Sequence, residues 1–132
     1  MNRDDNNNSA SGKSTLKIWQ QNVNRSNITQ QAMLETASEE EADIICIQEP
    51  YIDFKSQSRA NAHWFTVYPP QANPAKQTVP RALTLVHSRL HTDSWSIIPL
   101  PSQDITAVQI THEQGEIVII NVYNDCKHDK SL

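Results

Sequence analysis

Two cysteines in 132 residues, Cys46 and Cys126, are too few for a disulfide framework. No Cys/His grouping has zinc-ligand spacing. The chain opens on no apolar segment and contains no run of eighteen apolar residues, so neither a secretory leader nor a membrane span is expected. An intracellular protein follows as the expectation, with the nucleus a candidate compartment and secretion not expected. Basic residues are also in deficit: 11 Lys and Arg stand against 15 Asp and Glu, a formal net charge of -4. That counts against a stand-alone nucleic-acid binder, which usually carries a basic face. It leaves a metal-dependent enzyme open, because a bound cation inverts the local charge.

Apolar residues make up 37% of the chain, where about 45–50%, glycine included, is usual for globular domains. Much of the shortfall lies in residues 1–15, which offer almost nothing to bury and read as a disordered lead-in. Residues 16–132 are long enough for one domain.

Within that domain the pattern turns on Asp43-Ile44-Ile45-Cys46-Ile47-Gln48-Glu49-Pro50-Tyr51. A short isoleucine-rich run bounded by polar residues predicts a buried central strand. Pro50 gives no N–H to a ladder and biases Glu49 toward extended backbone, so the strand should stop there. Glu49 then sits at the strand's C-terminal rim, where layered α/β proteins collect ligands. It is either a metal-binding carboxylate or a solvated strand end.

Upstream, Leu16 to Val23 alternates and becomes polar at its end, as a strand would at a rim. Ser26 or Asn27 caps a predicted helix from about Ile28 to Ala42, with Met33, Leu34 and Ala37 as its apolar cluster. Glu39-Glu40-Glu41 is a solvated acidic face rather than a metal site. Strand, helix, strand with short links is a βαβ unit with parallel strands, which brings Asn22 beside Glu49.

Downstream, strands are predicted at His63–Tyr68, Arg81–His87, Trp95–Ile98, Asp104–Thr111 and Glu116–Tyr123. A proline-punctuated loop follows the first of these. The last two strands form a hairpin turning through Gly115. The final strand is apolar on both faces up to Ile120, which predicts a central position. Three strands thus have apolar bodies and end in Asn22, Glu49 and Tyr123. A carboxylate, an amide and a phenol on one rim suit a hard cation and an anionic oxygen. Magnesium accepts few protein oxygens and keeps several waters. A general base for hydrolysis is commonly a histidine oriented by an Asp. His63, His87, His91, His112 and His128 show no strand-end pattern and read as surface or loop residues.

Taken in order, the Leu16 to Ser26 stretch, Asp43 to Tyr51, and Ile119-Ile120-Asn121-Val122-Tyr123-Asn124 resemble the N-terminal half of an endonuclease/exonuclease/phosphatase domain. The similarity is to the apurinic-site-like endonuclease module of non-LTR retrotransposons. Arg81-Ala82-Leu83 and Asp104-Ile105-Thr106-Ala107-Val108 resemble its intervening strands. The resemblance implies an α/β fold, a four-layer α/β/β/α sandwich of which only the N-terminal part is present. It implies a hydrolase cutting DNA phosphodiester bonds with Mg2+, or Mn2+ in its place. Asn22 and Glu49 would be the metal ligands, with Asn22 also positioning the phosphate, and Tyr123 would contact the scissile phosphate.

The resemblance also implies an Asp-x-Asn pair, a further Asp and a late Ser-Asp-His, none of which occurs before Leu132. Asn124-Asp125 and Asp129 do not fall at the matching places. The expectation is a weak or inactive enzyme, or a non-catalytic remnant or interaction module. The family's phosphatase and sugar-nuclease branches offer other phosphodiester or phosphomonoester substrates. Half a sandwich would also leave apolar sheet faces uncovered, inviting self-association.

Overall fold

The computed structural model describes residues 15–53, 57–58, 60–70 and 79–124. Nearly all of the lead-in, the middle of the proline-punctuated loop, Cys126, His128, Asp125 and Asp129 lie outside them. The elements run β1 (Ile18–Asn22), α1 (Asn27–Glu39), β2 (Ile44–Gln48), β3 (Trp64–Val67), β4 (Ala82–His87), a 3-10 turn (Thr92–Ser94), β5 (Trp95–Ile98), β6 (Ile105–His112) and β7 (Gly115–Val122). They form a four-stranded sheet in the order β1-β2-β4-β3 and a three-stranded sheet in the order β5-β6-β7.

The βαβ unit has the expected sense. β1 and β2 are parallel, and β4 runs antiparallel to β2. Ser26 caps α1, its hydroxyl accepting from the Thr29 N–H at 3.1 Å, and satisfies one of the donors a helix start leaves open. The helix stops three residues before the expected Ala42. The Glu41 N–H reaches Ser38 O and the Ala42 N–H reaches Ala37 O, at 3.0 and 2.9 Å, closing the end with Glu41 in a left-handed conformation (φ 61).

Period decides the layering. In β2, Ile45 and Ile47 face α1 and pack with Met33, Leu34, Ala37, Val23 and Leu85. Ile44 and Cys46 face the other way, into a second cluster with Val86 of β4 and with Val108, Ile110 and Ile119 from the opposing sheet. β2 is therefore buried on both faces, as its unbroken apolar run predicts. Helix, first sheet and second sheet make three layers among the described residues; the fourth layer is not among them.

Two expectations fail. β7 is the edge of the three-stranded sheet, not a central strand. Its inward Ile119 and Asn121 are buried, but the outward Val118, Ile120 and Val122 are 48%, 56% and 51% exposed. An apolar residue on each face signals burial only where something covers both faces. Glu49 is also not extended. Its φ is 52, because its N–H donates to Arg81 O at 3.0 Å while its carbonyl accepts the Arg25 N–H at 2.8 Å. Those two bonds turn the backbone between the start of β4 and the loop after β1, overriding the bias from Pro50.

At the end of the sheets away from Glu49 lies a polar knot. Asp43 is fully buried, and its carboxylate accepts from the Lys17 N–H at 2.9 Å and from Arg89 Nε at 3.0 Å. The Arg89 N–H donates to His87 Nδ1 at 3.1 Å. His87 in turn stacks on His63 with ring centroids 6.1 Å apart.

Candidate functional site

Register brings the polar strand ends to one rim. β1 and β2 deliver Asn22 and Gln48 as direct partners, so Asn22 lies opposite Gln48 rather than Glu49, one residue off the expected pairing. Gln48 pairs with Ala82 on β4, which sets Arg81 at the same end. Val122 pairs with Ile105, which sets Asp104 and Tyr123 there too. The chain thus collects Asn22, Glu49, Arg81, Asp104 and Tyr123 from five strand ends.

The two sheets are joined at this rim by buried polar contacts. Gln48 Nε2 donates to Asn121 Oδ1 at 2.6 Å across the sheets, and within the first sheet the exposed Gln20 donates from its amide to Gln48 Oε1. Asn121 Nδ2 donates to Leu83 O at 2.6 Å and Ile47 O at 3.1 Å. One layer in, Thr84 and Thr106 share a hydroxyl–hydroxyl bond of 2.7 Å. Buried amides cost free energy unless bonded, and here they bond to each other and to strand carbonyls. Their role is to fix how the strand ends of one sheet lie against those of the other.

Arg81 and Asp104 make the second cross-sheet tie. The guanidinium donates through Nε to Oδ1 at 2.7 Å and through Nη2 to Oδ2 at 3.2 Å, a two-point pairing. The same guanidinium lies over the Tyr123 ring, 5.4 Å from its centroid, within cation–π range. The Tyr123 N–H donates to Asp104 O at 2.8 Å. Tyr123 is therefore held at the rim by backbone and ring together.

Asn22 Oδ1 accepts the Asn24 N–H at 2.9 Å. Asn24 and Arg25 then follow in left-handed conformations (φ 53 and 58). Gln30 of α1 reaches the loop beyond Glu49, accepting the Tyr51 N–H at 2.9 Å and donating to Ser58 Oγ at 2.8 Å. The connections after β1 and after β2 are tied in this way beside Glu49, and its left-handed backbone is the kind of local strain, about 1–3 kcal/mol, that surrounding structure must hold.

An open cleft of about 510 Å³ lies beside the rim, with Ile18, Gln20, Asn22, Cys46 and Gln48 on one side and Ile119 to Asn124 on the other. Burial pushes the Cys46 thiol up, against a smaller opposing effect of its hydrogen bond with Thr84, which keeps it a packing residue rather than a nucleophile.

For a divalent cation the fit is partial. Among the described residues no group of three or more His, Cys, Asp or Glu could hold a metal ion. Of the two rim carboxylates, Asp104 is engaged by Arg81, and Glu49 stands one residue past Gln48, the strand-end partner of Asn22. One carboxylate and one amide oxygen match a magnesium ion that keeps most of its waters. The described histidines lie elsewhere: His63, His87, His91 and His112 fall by register at the opposite ends of the strands.

The polar strand-end pattern in the sequence carried Asn22, Glu49 and Tyr123. It missed Arg81, Asp104, Gln20, Gln48 and Asn121. Asn121 carried a detectable signal, an amide at an inward position two residues after the buried Ile119. The Arg81–Asp104 pair carried none, since it depends on cross-sheet register.

No protein-family model matches the chain, and no curated protein matches it. Among solved structures it is similar to the endonuclease domain of TRAS1, a telomere-specific non-LTR retrotransposon, at 21% identity and a TM-score of 0.60. The match covers 84% of this chain and 45% of that one. The chain therefore has the fold of part of a retrotransposon endonuclease domain and spans about half its length. The family resemblance read from the sequence has a structural counterpart.

Proposed function

We propose that this chain forms the metal-binding side of a DNA phosphodiesterase site of the retrotransposon endonuclease type. The observation that carries the reading is the convergence of Asn22, Glu49 and Tyr123, with the Arg81–Asp104 pair, on one rim of a fold shared with such a domain. Glu49 and Asn22 would hold the Mg2+ or Mn2+ ion, which when bound polarises a phosphoryl oxygen and acidifies water. Asn22 would position the phosphate, and Tyr123, its ring fixed beneath Arg81, would donate from its phenol to a phosphate oxygen. Glu49 contributes charge at the point where the backbone leaves the sheet.

No described histidine stands at the rim to act as general base, a contribution of about 10²–10⁴-fold. The chain alone is accordingly proposed to be weak or inactive in hydrolysis. A nicking assay on supercoiled plasmid with magnesium tests this. Little or no nicking is expected, together with weak Mg2+ or Mn2+ binding that is lost in Glu49→Gln. Robust nicking that persists in Glu49→Gln would overturn both the assignment of Glu49 and the expected weakness. Other phosphodiesters or phosphomonoesters are the competing substrates, and the same assay on them discriminates. The second reading, a non-catalytic interaction module, is favoured by the exposed Val118, Ile120 and Val122 stripe.

A further inference from the structure

The turn between β1 and α1 places an arginine where its backbone favours glycine. The Ser26 N–H donates to Val23 O at 3.0 Å, closing a turn over residues 23–26. Its two central residues, Asn24 and Arg25, are both left-handed, with φ 53 and 58. Positive φ at both central positions is the type I′ arrangement, whose ordinary pair is Asn-Gly. Asn24 suits it. Arg25 instead keeps a long side chain on a backbone that penalises any Cβ.

The surroundings hold that geometry in place. The Arg25 N–H donates to Glu49 O at 2.8 Å, and the Asn24 N–H donates to Asn22 Oδ1 at 2.9 Å. Ser26 then caps α1 through its hydroxyl. The turn is thus tied to both residues proposed to hold the metal ion, and Glu49 is itself left-handed, with φ 52. Strained backbone of this kind persists only where neighbours over-determine it, and it concentrates where a side chain must stand in one place.

The guanidinium of Arg25 is uncommitted. The described residues include Lys17, Arg25, Arg81 and Arg89 as their Lys and Arg. Lys17 Nζ donates to Glu40 O, Arg89 pairs with Asp43, and Arg81 pairs with Asp104. Arg25 is exposed, and among the described residues it is the one cation whose side chain has no partner.

The distribution of charge favours an anion at this end. Glu39, Glu40 and Glu41 close α1, Asp93 precedes β5, and Glu113 and Glu116 flank the turn between β6 and β7. Register puts all of these at the end away from the rim. The net charge of -4 therefore does not describe the rim, where Arg81 already offsets Asp104. A polyanion is turned away from the acidic end and meets the rim first.

We infer that Arg25 is a backbone-phosphate contact for duplex DNA. Arg25 is not among the residues lining the cleft of Asn22 and Tyr123, so the phosphate it meets is a neighbour of the reacting one. A guanidinium presents a planar fork of donors that matches phosphate oxygens. Anchoring it on a fixed turn lowers the ordering cost of binding. Such a contact sets the register of the strand and carries no base preference. The choice of DNA rests on the nuclease-type reading above; the unpaired guanidinium on a fixed, strained turn does not.

Fluorescence anisotropy of two labelled DNA duplexes of unrelated sequence, titrated with the full chain over a range of salt and without divalent ions, is the test. Each phosphate contact adds about 0.9 to the steepness of log affinity against log salt. Arg25→Asn removes the charge with a residue that tolerates left-handed backbone. It should bind both duplexes more weakly at low salt, with a slope shallower by about 0.9, and should melt no lower than the parent. Arg25→Lys should keep the parent slope. An unchanged slope in Arg25→Asn, a loss confined to one duplex, or a loss equal at every salt concentration overturns the inference and leaves the nuclease reading standing. A loss of binding accompanied by a lower melting temperature also overturns it, assigning Arg25 to the fold. The expected slopes in a chain that binds neither Mg2+ nor Mn2+ keep the contact and sink the nuclease reading. A parent chain that binds neither duplex overturns both.

Discussion

Gln48 donates from its side-chain amide to Asn121 Oδ1, 2.6 Å away, and this bond spans the two sheets. The residues are 73 positions apart, and each also holds a contact within the first sheet, Gln48 to Gln20 and Asn121 to the carbonyls of Ile47 and Leu83. The rim is therefore aligned by a chain of amides, with Asn22 on β1, Glu49 on β2 and Tyr123 on β7 placed by the strands those amides lock together.

Removing Asn121 tests that dependence. Asn121→Leu keeps the side chain's branched shape but takes away every donor and acceptor, leaving Gln48 short of a buried acceptor. Each unsatisfied buried group costs about 1–3 kcal/mol, so a loss of about 3 kcal/mol in urea unfolding is expected. A loss below about 1 kcal/mol would mean that apolar packing alone aligns the sheets.

Much of this architecture is legible in the chain because the physics is local. The unbroken Ile44 to Ile47 run dictates a strand buried on both faces, and the Met33, Leu34 and Ala37 cluster dictates which side of α1 meets it. Polar residues at the ends of apolar strands mark the rim, so Asn22, Glu49 and Tyr123 stand out as a set. What is not legible depends on which strand lies over which. Arg81 and Asp104 meet only because β4 and β6 both start at that end. β7 reads as central because its composition is that of a covered strand, and composition carries no information about whether the cover is present. Glu49 reads as extended because the bias from Pro50 is local, while the two backbone bonds that turn it come from residues 24 and 32 positions away.

The knot at the far end should make stability depend on pH. Burial lowers the His87 pKa below its ordinary 6.5, the Arg89 and His63 charges lower it further, and the Asp43 carboxylate opposes them. The folded state therefore binds fewer protons at this ring than the unfolded chain does. Stability from this source is full above pH 6.5 and is lost as pH falls through that value and then through the lowered folded one. The ring is only partly buried, so the effect should be small. Thermal melts between about pH 7.5 and 5 should show a shallower decline for His87→Gln than for the parent. Equal slopes would remove His87 as the sensor.

The end of α1 offers the opposite case, a place where the natural residue is not the best one. Glu41 occupies the position just past the helix where a left-handed backbone closes the last turn, its φ being 61. Its N–H and that of Ala42 reach back to Ser38 and Ala37, the arrangement in which glycine is the preferred residue. A side chain there costs about 1 kcal/mol. The Glu41 charge adds a smaller cost by opposing the negative helix end. Glu41→Gly should therefore stabilise by about 1 kcal/mol and raise the melting temperature by roughly 3–5 °C. Glu41→Ala, which removes the charge but keeps the Cβ, should recover only the electrostatic share, a few tenths of a kcal/mol. Equal gains in the two variants would assign the whole effect to charge. No gain in Glu41→Gly would show that the extra freedom glycine gives the unfolded chain cancels the relief of strain.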